Sequence, residues 1–467
     1  MANSISMPRL VVAGTASGIG KTSVTVALTR ALRERGLRVA VFKCGPDYLD
    51  PTYHVRASGN TCHNLDGWMM GRDAVVSTFA RMCEGADIAL VEGVMGLFDG
   101  ASPTTEEGST AEIAKWLDAP VMLVLDVSGM ARTVAAIARG VAAFDPELRL
   151  AGIFCNRVGS QGHLDVLRGA LTDLPVFGGL PNESALTFPE RHLGLRTADE
   201  QAVPDSILSG LGRMAGEWCD LDAILSVARA APLVSRQLSA KEVDAASSSR
   251  CRIGVAFDEA FHFYYEYNLR ILKTLGAELV YFSPISDRGL PDLNGLYIGG
   301  GYPETHAEAL SANRAMREQI NEFAANGGTI YAECGGLMYL CDAINALDGQ
   351  SYPMAGVIPA YAVMHERLRA LGYVEVETQR ASVLGPAGLR FRGHQFRYSE
   401  LHPLKGRIDC AYRMVRRRDG QAVPEGYTVK NTLASYVHAH WASNPTIAES
   451  LVDACVRQTR NTREMRE

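Results

Sequence analysis

Leu10-Val11-Val12-Ala13-Gly14-Thr15-Ala16-Ser17-Gly18-Ile19-Gly20-Lys21-Thr22 is the stretch that decides the fold of this chain. An apolar run is followed by a glycine-rich turn, by Gly-Lys-Thr and then by a helix-like segment, Ser23 to Arg35. Strand, loop and helix in this order are typical of a phosphate-binding loop, whose backbone N–H groups surround phosphate oxygens at a helix N-terminus. The alternative is an ordinary glycine-rich turn. The coincidence of all three elements with Lys-Thr favours nucleotide binding.

Within this loop, Lys21 would bridge terminal phosphates and the Thr22 hydroxyl would ligate Mg²⁺. The spacing is unusual, because Thr15 stands where the common pattern has a glycine, and Gly14 comes one residue earlier. The predicted nucleotide-binding residues of the loop are Gly14, Thr15, Gly18, Gly20, Lys21 and Thr22.

The composition describes a globular protein with two or three domains. The chain has 467 residues, of which 47% are hydrophobic and 21% charged. A net charge of -6 gives no electrostatic case for nucleic acid, and no apolar run approaches the ~20 residues of a membrane span. The N-terminus lacks a signal-peptide core, and the scattered cysteines form no Cys-x-x-Cys pair. We therefore expect a cytoplasmic protein without a structural zinc site.

Strand and helix patterns alternate through the N-terminal half, which predicts an α/β, doubly wound and mostly parallel sheet. The predicted strands are Leu37–Phe42, Ile88–Val91, Val121–Leu125, Leu150–Phe154 and Val176–Leu180. Ligands of such sheets bind at the carboxyl ends of the strands, so the residues that follow each strand are the candidates for a site.

Polar residues follow three of these strands. Asp47 and Asp50 lie in a Gly/Pro-rich loop after the first strand, where they could hold Mg²⁺, orient a substrate or simply form a turn. Glu92 ends the second strand, where a further Mg²⁺ ligand is expected, although Asp is the usual residue there. Asn156 follows the fourth strand and could contact an adenine edge or cap the strand end.

The pattern changes between Ala231 and Arg250, where a polar stretch carries no apolar period. This predicts an exposed linker over 232–250, between an N-terminal domain, 1–231, and a C-terminal domain, 251–467.

A strand-turn-helix junction is the sharpest feature of the C-terminal half. The strand Thr329–Ala332 leads into Glu333-Cys334-Gly335-Gly336 and a helix-like segment, Leu337–Ala346. Cys334 on such an elbow would be a nucleophile whose pKa the helix dipole and a histidine lower. The alternative is a buried structural cysteine. The upstream loop Gly299-Gly300-Gly301-Tyr302-Pro303-Glu304 could form an oxyanion hole, a tight turn or both.

A general base for this cysteine is expected near His438 and His440, which alternate in Tyr436-Val437-His438-Ala439-His440-Trp441. A metal site is the alternative, but no carboxylate or cysteine stands nearby at ligand spacing. We favour one histidine as the base and the other as a packing or orienting residue. Other segments expected to be regular are a strand, Cys251–Phe257, a helix, His262 to Leu275, two strands, Glu278–Phe282 and Leu293–Ile298, and a helix, Thr446 to Thr459.

Taken together, these motifs resemble the cobyrinic acid a,c-diamide synthase family, in which a dethiobiotin-synthetase-like ATPase domain precedes a class I glutamine amidotransferase domain. The resemblance covers the chain from Leu10 to about Cys455. It is carried by the phosphate loop, by the loop with Asp47 and Asp50, by the Gly299 loop and by the Cys334 elbow, and also by Glu92-Gly93-Val94-Met95-Gly96-Leu97-Phe98-Asp99-Gly100 and Ser435-Tyr436-Val437-His438.

This resemblance implies an ATP- and glutamine-dependent ligase of cobalamin biosynthesis. Cys334, aided by His438, would release ammonia from glutamine. The N-terminal domain would bind ATP–Mg²⁺ and phosphorylate a carboxylate of the corrinoid, which ammonia then converts to a carboxamide. By position, the family's metal ligands match Thr22, Asp47 and Glu92, its phosphate-proximal acids match Asp50 and Asp99, and Tyr48 falls with the substrate-side residues.

Four questions stay open at the level of the sequence. Hydrogenobyrinic acid or nickel-sirohydrochlorin are alternative substrates, and a nucleotide-switch scaffold with an inactive amidotransferase domain is an alternative function. Gln395 and Arg397 stand where relatives often have Glu and His, which puts a role for an acid or a histidine there in doubt. The oligomeric state is open as well, with a homodimer as one option.

Overall fold

A computed structural model describes residues 3–183, 188, 190, 191, 194, 195, 203–236 and 249–464 of the chain. The chain divides into two units, residues 1–242 and 243–467, each with its own sheet and core. Within the described ranges, no helix is long and apolar enough to cross a membrane.

The N-terminal unit is built on a seven-stranded parallel sheet with the order β4-β3-β5-β2-β6-β7-β8. Its strands are β1 Asn3–Ile5, β2 Arg9–Gly14, β3 Val39–Cys44, β4 Cys62–Leu65, β5 Ile88–Glu92, β6 Val121–Asp126, β7 Leu150–Val158, β8 Val176–Pro181, β9 Glu190–Arg191, β10 Gly194–Leu195 and β11 Val234–Arg236. Its helices are α1 Lys21–Glu34, α2 Asp50–Ser58, α3 Gly67–Met70, α4 Arg72–Met82, α5 Thr110–Trp116, α6 Thr133–Phe144, α7 Gln161–Ala170, α8 Asp205–Trp218 and α9 Leu221–Arg229.

The predicted doubly wound α/β fold is confirmed in this unit. Every residue of β2 is buried, as expected for a central parallel strand that helices cover on both faces. The sequence missed the edge strand β4, because its buried His63 and Asn64 interrupt the apolar pattern. Because the sheet is parallel, the carboxyl ends of the predicted strands lie at one edge, where the phosphate loop and the other strand-end residues come together.

The start of the predicted linker is ordered on the N-terminal unit, which corrects the expectation of an exposed segment from residue 232. β11 pairs antiparallel with β1, and Val234 is buried. The Pro232 carbonyl accepts a hydrogen bond of 2.6 Å from the buried Arg9 guanidinium. The remainder of the predicted linker, 237–248, lies outside the described residues.

The C-terminal unit has a ten-stranded mixed sheet with the order β14-β12-β15-β17-β26-β25-β24-β21-β22-β27 and a four-stranded sheet with the order β19-β18-β20-β23. Its strands are β12 Cys251–Ala256, β13 Phe261–Phe263, β14 Ala277–Phe282, β15 Gly295–Ile298, β16 Gly300–Gly301, β17 Thr329–Glu333, β18 Cys341–Asn345, β19 Ser351–Pro353, β20 Ile358–Met364, β21 Ala370–Thr378, β22 Arg390–Arg397, β23 Ser399–Pro403, β24 Cys410–Arg416, β25 Ala422–Val429, β26 Thr432–Ser435 and β27 His438–Ala439. Its helices are α10 Glu266–Thr274, α11 Ala307–Ala312, α12 Arg314–Ala325, α13 Gly335–Leu340 and α14 Thr446–Glu464.

Two helix predictions in this unit extend too far. The helix expected from His262 begins only at Glu266, because Phe261–Phe263 pairs as a strand with the glycine loop. The helix expected to run to Ala346 ends at Leu340, because Cys341–Asn345 pairs with β19 and β20. In both places pairing with a distant strand overrides the local helical pattern.

Candidate active sites

The phosphate loop of the N-terminal unit connects β2 to α1, and its geometry requires its glycines. Gly18 and Gly20 have φ values of 77° and 94°, a left-handed region that favours glycine. A Cβ on Gly14 would come within 2.2 Å of Ile19 Cδ1. Gly14 is therefore required because Ile19 packs closely against it, while Thr15 is exposed in the turn.

Lys21 is buried at the start of α1 and links two segments. Its ammonium donates to the carbonyl of Ala16 at 2.8 Å and to that of Met95 at 2.6 Å. Burial, with a contribution from the nearby Lys43 charge, lowers the pKa of Lys21 to about 8. The loop after β5 is thereby tied to the phosphate loop.

A buried cluster of charged groups lies beside this loop. Thr22 Oγ1 donates to Glu92 Oε1 at 2.9 Å, and Lys43 Nζ is 2.8 Å from the same oxygen. Lys43 Nζ also lies 2.6 Å from Asp50 Oδ2, and His54 Nε2 lies 2.5 Å from Glu92 Oε2. The structure therefore brings together Thr22 and Glu92, two of the three predicted metal ligands, and Asp50 reaches the same cluster through Lys43. His54, which the sequence analysis did not single out, belongs to the same cluster.

Opposite charges offset the cost of burial within this cluster. Burial by itself would raise the pKa of Glu92, but Lys43 and His54 hold this pKa below its ordinary value. Burial would lower the pKa of Lys43, but Asp50 and Glu92 raise it well above its ordinary value. Burial and the Asp47 charge raise the pKa of Asp50. The hydroxyl and carboxylate oxygens gathered here are donors that suit Mg²⁺.

The other predicted acids of this unit lie at turns. Asp47 is half-buried, and its Oδ1 accepts the backbone N–H groups of Leu49 at 2.8 Å and Asp50 at 3.0 Å. Asp99 is exposed, and its Oδ2 accepts the Gly96 N–H at 2.9 Å. Each carboxylate thus gives one oxygen to turn formation, as the alternative interpretation of the Asp47 loop describes. Their contacts with a metal or a phosphate stay predictions, as does a substrate contact of the buried Tyr48.

Asn156 supports the backbone of the phosphate loop. Its side-chain amide donates to the Ile19 carbonyl at 2.7 Å, and the Arg157 guanidinium donates to the Gly18 carbonyl at 2.9 Å. A cavity of about 100 Å³ opens beside these residues, and its lining includes Gly20, Asn156, Arg157, Leu180, Leu211 and Met214. The position next to the loop suits a nucleotide base, and the contact of Asn156 with adenine stays a prediction.

In the C-terminal unit, Cys334 occupies a strained turn between β17 and α13. Its φ and ψ are 47° and -101°, which is unusual for a residue with a Cβ. The backbone N–H donates to the Ser435 carbonyl at 2.7 Å, and the thiol contacts the Phe396 carbonyl at 3.8 Å. The thiol is nearly fully buried. This is the geometry of a nucleophile elbow, as the sequence predicts.

Glycines allow the elbow, the glycine loop and His438 to meet. A Cβ on Gly300 would come within 2.4 Å of His438 Cε1. A Cβ on Gly335, the residue after the cysteine, would come within 3.0 Å of the Gly301 nitrogen. The glycine loop therefore lies against both the imidazole of the predicted base and the residue that follows the predicted nucleophile.

The expected lowering of the Cys334 pKa is wrong for the protein without substrate. Burial, with a contribution from the Glu304 charge, raises the pKa of the thiol to about 12. Burial also lowers the pKa of His438 to about 3, which leaves its imidazole neutral. The desolvation of both groups outweighs the dipole of the short helix α13.

His440 and Glu333 lie near His438, and their contacts indicate that each has a structural role. His440 is buried, packs on Tyr265 with ring centroids 4.6 Å apart, and accepts the Ala442 N–H at 3.4 Å. Glu333, which the sequence analysis left without a role, accepts the Ala439 N–H at 3.0 Å and so holds the strand that carries His438. Burial raises the pKa of Glu333 to about 7.

The fold and the two sites define a glutamine-dependent ligase with a nucleotide-binding unit. Residues 10–195 match a CobQ/CobB/MinD/ParA nucleotide binding domain, and residues 252–446 match a CobB/CobQ-like glutamine amidotransferase domain. Curated relatives named cobyrinate a,c-diamide synthase are similar over the whole chain. The protein from Leptospira interrogans is 52% identical over 97% of this chain and 100% of its own length. That from Syntrophotalea carbinolica is 48% identical over 97% and 99%.

A third relative, from Listeria monocytogenes, is 40% identical over 97% of this chain and 100% of its own length. The chain therefore belongs to the cobyrinate a,c-diamide synthase family, as the sequence motifs indicate.

Proposed function

We propose that this chain converts the a- and c-side-chain carboxylates of cobyrinic acid into carboxamides, with glutamine as nitrogen donor and ATP as activator. The observation that carries the proposal is the presence of both sites in one chain: a buried cysteine on an elbow, and a phosphate loop beside a carboxylate cluster. The chain is also 52% identical to a relative of the family. A carboxylate is a poor electrophile, so amidation needs a leaving group that ATP supplies.

In the C-terminal unit, Cys334 would attack the side-chain amide of glutamine. His438 accepts the thiol proton and delivers it to the departing ammonia. Backbone N–H groups of the Gly299–Gly301 loop would stabilise the oxyanion, and water then releases glutamate from the thioester. The close approach of Gly300 to His438 and of Gly301 to Gly335 supports this arrangement.

In the N-terminal unit, the phosphate loop and Lys21 would hold the triphosphate while a corrinoid carboxylate attacks the γ-phosphorus, which breaks the bond to the bridging oxygen and releases ADP. The acyl phosphate formed is then attacked by ammonia, which expels phosphate. Asp50 and Asp99 would lie near the reacting phosphate, and Tyr48 on the substrate side. Residues Thr22, Asp47 and Glu92 would hold Mg²⁺, which supplies charge neutralisation for the phosphates when bound. The Thr22–Glu92 contact supports this assignment.

The cytoplasm is the proposed location, and cobyrinic acid, ATP and glutamine are the proposed small-molecule partners. Within the described residues the ten cysteines form no disulfide bond, as suits a reducing compartment. Binding of Mg²⁺ and formation of a homodimer stay predictions.

Mass spectrometry of the product formed from cobalt-containing, metal-free and nickel tetrapyrroles tests the substrate. We expect ATP-dependent gain of two amide groups on cobyrinic acid and the highest kcat/KM with that macrocycle. A higher kcat/KM with hydrogenobyrinic acid or nickel-sirohydrochlorin would replace the substrate assignment without touching the two half-reactions.

A further inference from the structure

A third histidine, His394, lies directly against the imidazole of His438. His394 on β22 is the register partner of His438 on β27. The two rings are stacked, with centroids 5.0 Å apart and an interplanar angle of 20°. Both side chains are buried, at 6% and 2% exposure. One face of the imidazole is therefore covered by a second ring of the same shape.

The orientation of His394 is itself fixed by its surroundings. The Tyr265 hydroxyl lies 3.0 Å from His394 Nδ1, and Tyr265 is only 1% exposed. The ring of His440 also packs on that of Tyr265, with the centroids 4.6 Å apart. Asn268, one turn into α10, donates to the Ala439 carbonyl at 2.8 Å and holds the strand that carries His438. The start of α10 and the residue before it thus contact both the His394 ring and the strand that carries His438.

A general base needs a fixed ring orientation to take a proton from one atom and return it to another. The second side-chain torsion of histidine has broad, roughly two-fold energy wells, so the backbone alone does not select one orientation. A stacked ring restricts the tilt and displacement of the imidazole. A misplacement of about 1 Å in such a group can lower a rate about 100-fold.

We propose that His394 is a positioning residue for glutamine hydrolysis, whose ring, held by Tyr265, keeps the His438 imidazole in its working orientation. This inference rests on the proposed roles of Cys334 and His438. His394 itself exchanges no proton with glutamine, and stacking rather than its nitrogen atoms carries the effect on His438.

Three variants of the full chain separate this role from a structural one. His394→Ala removes the stacked ring, His394→Phe keeps a ring without nitrogen atoms, and Tyr265→Phe removes only the hydroxyl. We expect His394→Ala to lower kcat for glutamine hydrolysis about 10- to 100-fold with an unchanged KM, and to slow alkylation of Cys334 by iodoacetamide. His394→Phe should restore most of kcat, and Tyr265→Phe should show a loss below about 10-fold.

Ammonia-dependent amidation is the internal control, because it requires a folded chain but no glutamine hydrolysis. It should be unchanged in all three variants. Wild-type kcat in His394→Ala, an equal loss in His394→Phe, or a parallel loss of ammonia-dependent activity would each overturn the proposal. Failure of the proposed function is a separate result, since it appears as retained glutamine hydrolysis in Cys334→Ala.

Discussion

The two sites both bury ionisable groups, but ion pairs offset the cost of burial in one site and burial favours neutral groups in the other. In the N-terminal unit, Lys43 lies 2.8 Å from Glu92 and 2.6 Å from Asp50, so opposite charges offset burial. In the C-terminal unit burial dominates, raising the pKa of Cys334 to about 12 and lowering that of His438 to about 3. The first site favours the charged forms of Lys43 and Glu92, whereas the second keeps its reactive groups neutral.

This difference follows the chemistry that each site is proposed to perform. A triphosphate is charged before it binds, so preformed charges and backbone dipoles can receive it without reorganisation. A thiolate–imidazolium pair is needed only while glutamine is bound, and each charge then stabilises the other. Burial favours the neutral thiol, which is a weaker nucleophile than the thiolate.

Removal of the phosphate-loop lysine should give the largest effect. Lys21→Ala takes away the ammonium that contacts the loop and the segment after β5. We expect amidation to fall about 1000-fold with either glutamine or ammonia, because acyl-phosphate formation is lost. Glutamine hydrolysis measured alone should continue. The exposed Lys273→Ala is the control, and ammonia-dependent amidation at the wild-type rate in Lys21→Ala would exclude the assigned role.

Loss of one charge from the buried cluster should come next. Glu92→Gln leaves Thr22 and His54 without a carboxylate partner and weakens the ion pair of Lys43. We expect ATP-dependent amidation to fall about 100-fold and the free energy of unfolding to fall by about 3 kcal/mol. Steady-state kinetics with ammonia and chemical denaturation measure these effects. The exposed Glu217→Gln should change neither, and a fully active Glu92→Gln would contradict the account.

A methyl group in the glycine loop should affect only the C-terminal reaction. A Cβ at position 300 would lie 2.4 Å from His438 Cε1, so Gly300→Ala must push the imidazole away. We expect glutamine hydrolysis to fall about 10- to 100-fold while ammonia-dependent amidation continues. Gly169→Ala, at a helix position where a Cβ meets no atom within 4 Å, is the matched control. Equal activity of the two variants would mean that His438 is not positioned by this loop.

The smallest expected effect is a pH dependence of stability from Glu333. Its pKa is raised from 4.5 to about 7 by burial, so the folded state retains a proton that the unfolded state releases between these values. This contribution to stability is present below pH 4.5 and is lost as the pH rises through 7. As the pH rises from 5 to 8, the free energy of unfolding of the wild-type protein should therefore fall by about 1–3 kcal/mol more than that of Glu333→Gln.

Denaturation of the full chain at pH 5, 6, 7 and 8 measures this difference. Glu278→Gln, an exposed substitution, should give a profile parallel to that of the wild-type protein. A Glu333→Gln profile that is also parallel would show that Glu333 does not hold a proton in the folded state.

The sequence could predict the parts of the fold in which pattern and motif coincide. The central strands of the N-terminal sheet are buried on both faces, so their apolar runs were visible, and the phosphate loop and the Cys334 elbow follow strands directly. The sequence could not show β4, because His63 and Asn64 interrupt its apolar pattern, or β18, because pairing with β20 overrides its local helical pattern. The first linker residues form a strand only by pairing with β1, which lies more than 200 positions away in the sequence.

Part of each site could not be predicted from the sequence either. His54 and His394 lie in segments that the sequence motifs quote or adjoin, but only the fold places one against Glu92 and the other against His438. The direction of the Cys334 pKa was predicted wrongly, because the elbow motif indicates a helix dipole and does not report how far the thiol is desolvated. Motifs identify reactive residues, while the number and charge of their neighbours follow from packing.

One measurement tests the division of labour between the two units most directly: amidation of cobyrinic acid by Cys334→Ala, compared with glutamine and with ammonium as nitrogen donor. The account predicts that the glutamine-dependent rate falls about 1000-fold or more, while the ammonium-dependent rate stays within about two-fold of the wild-type value. Glutamine-dependent amidation at the wild-type rate, or an equal loss with both donors, would contradict it.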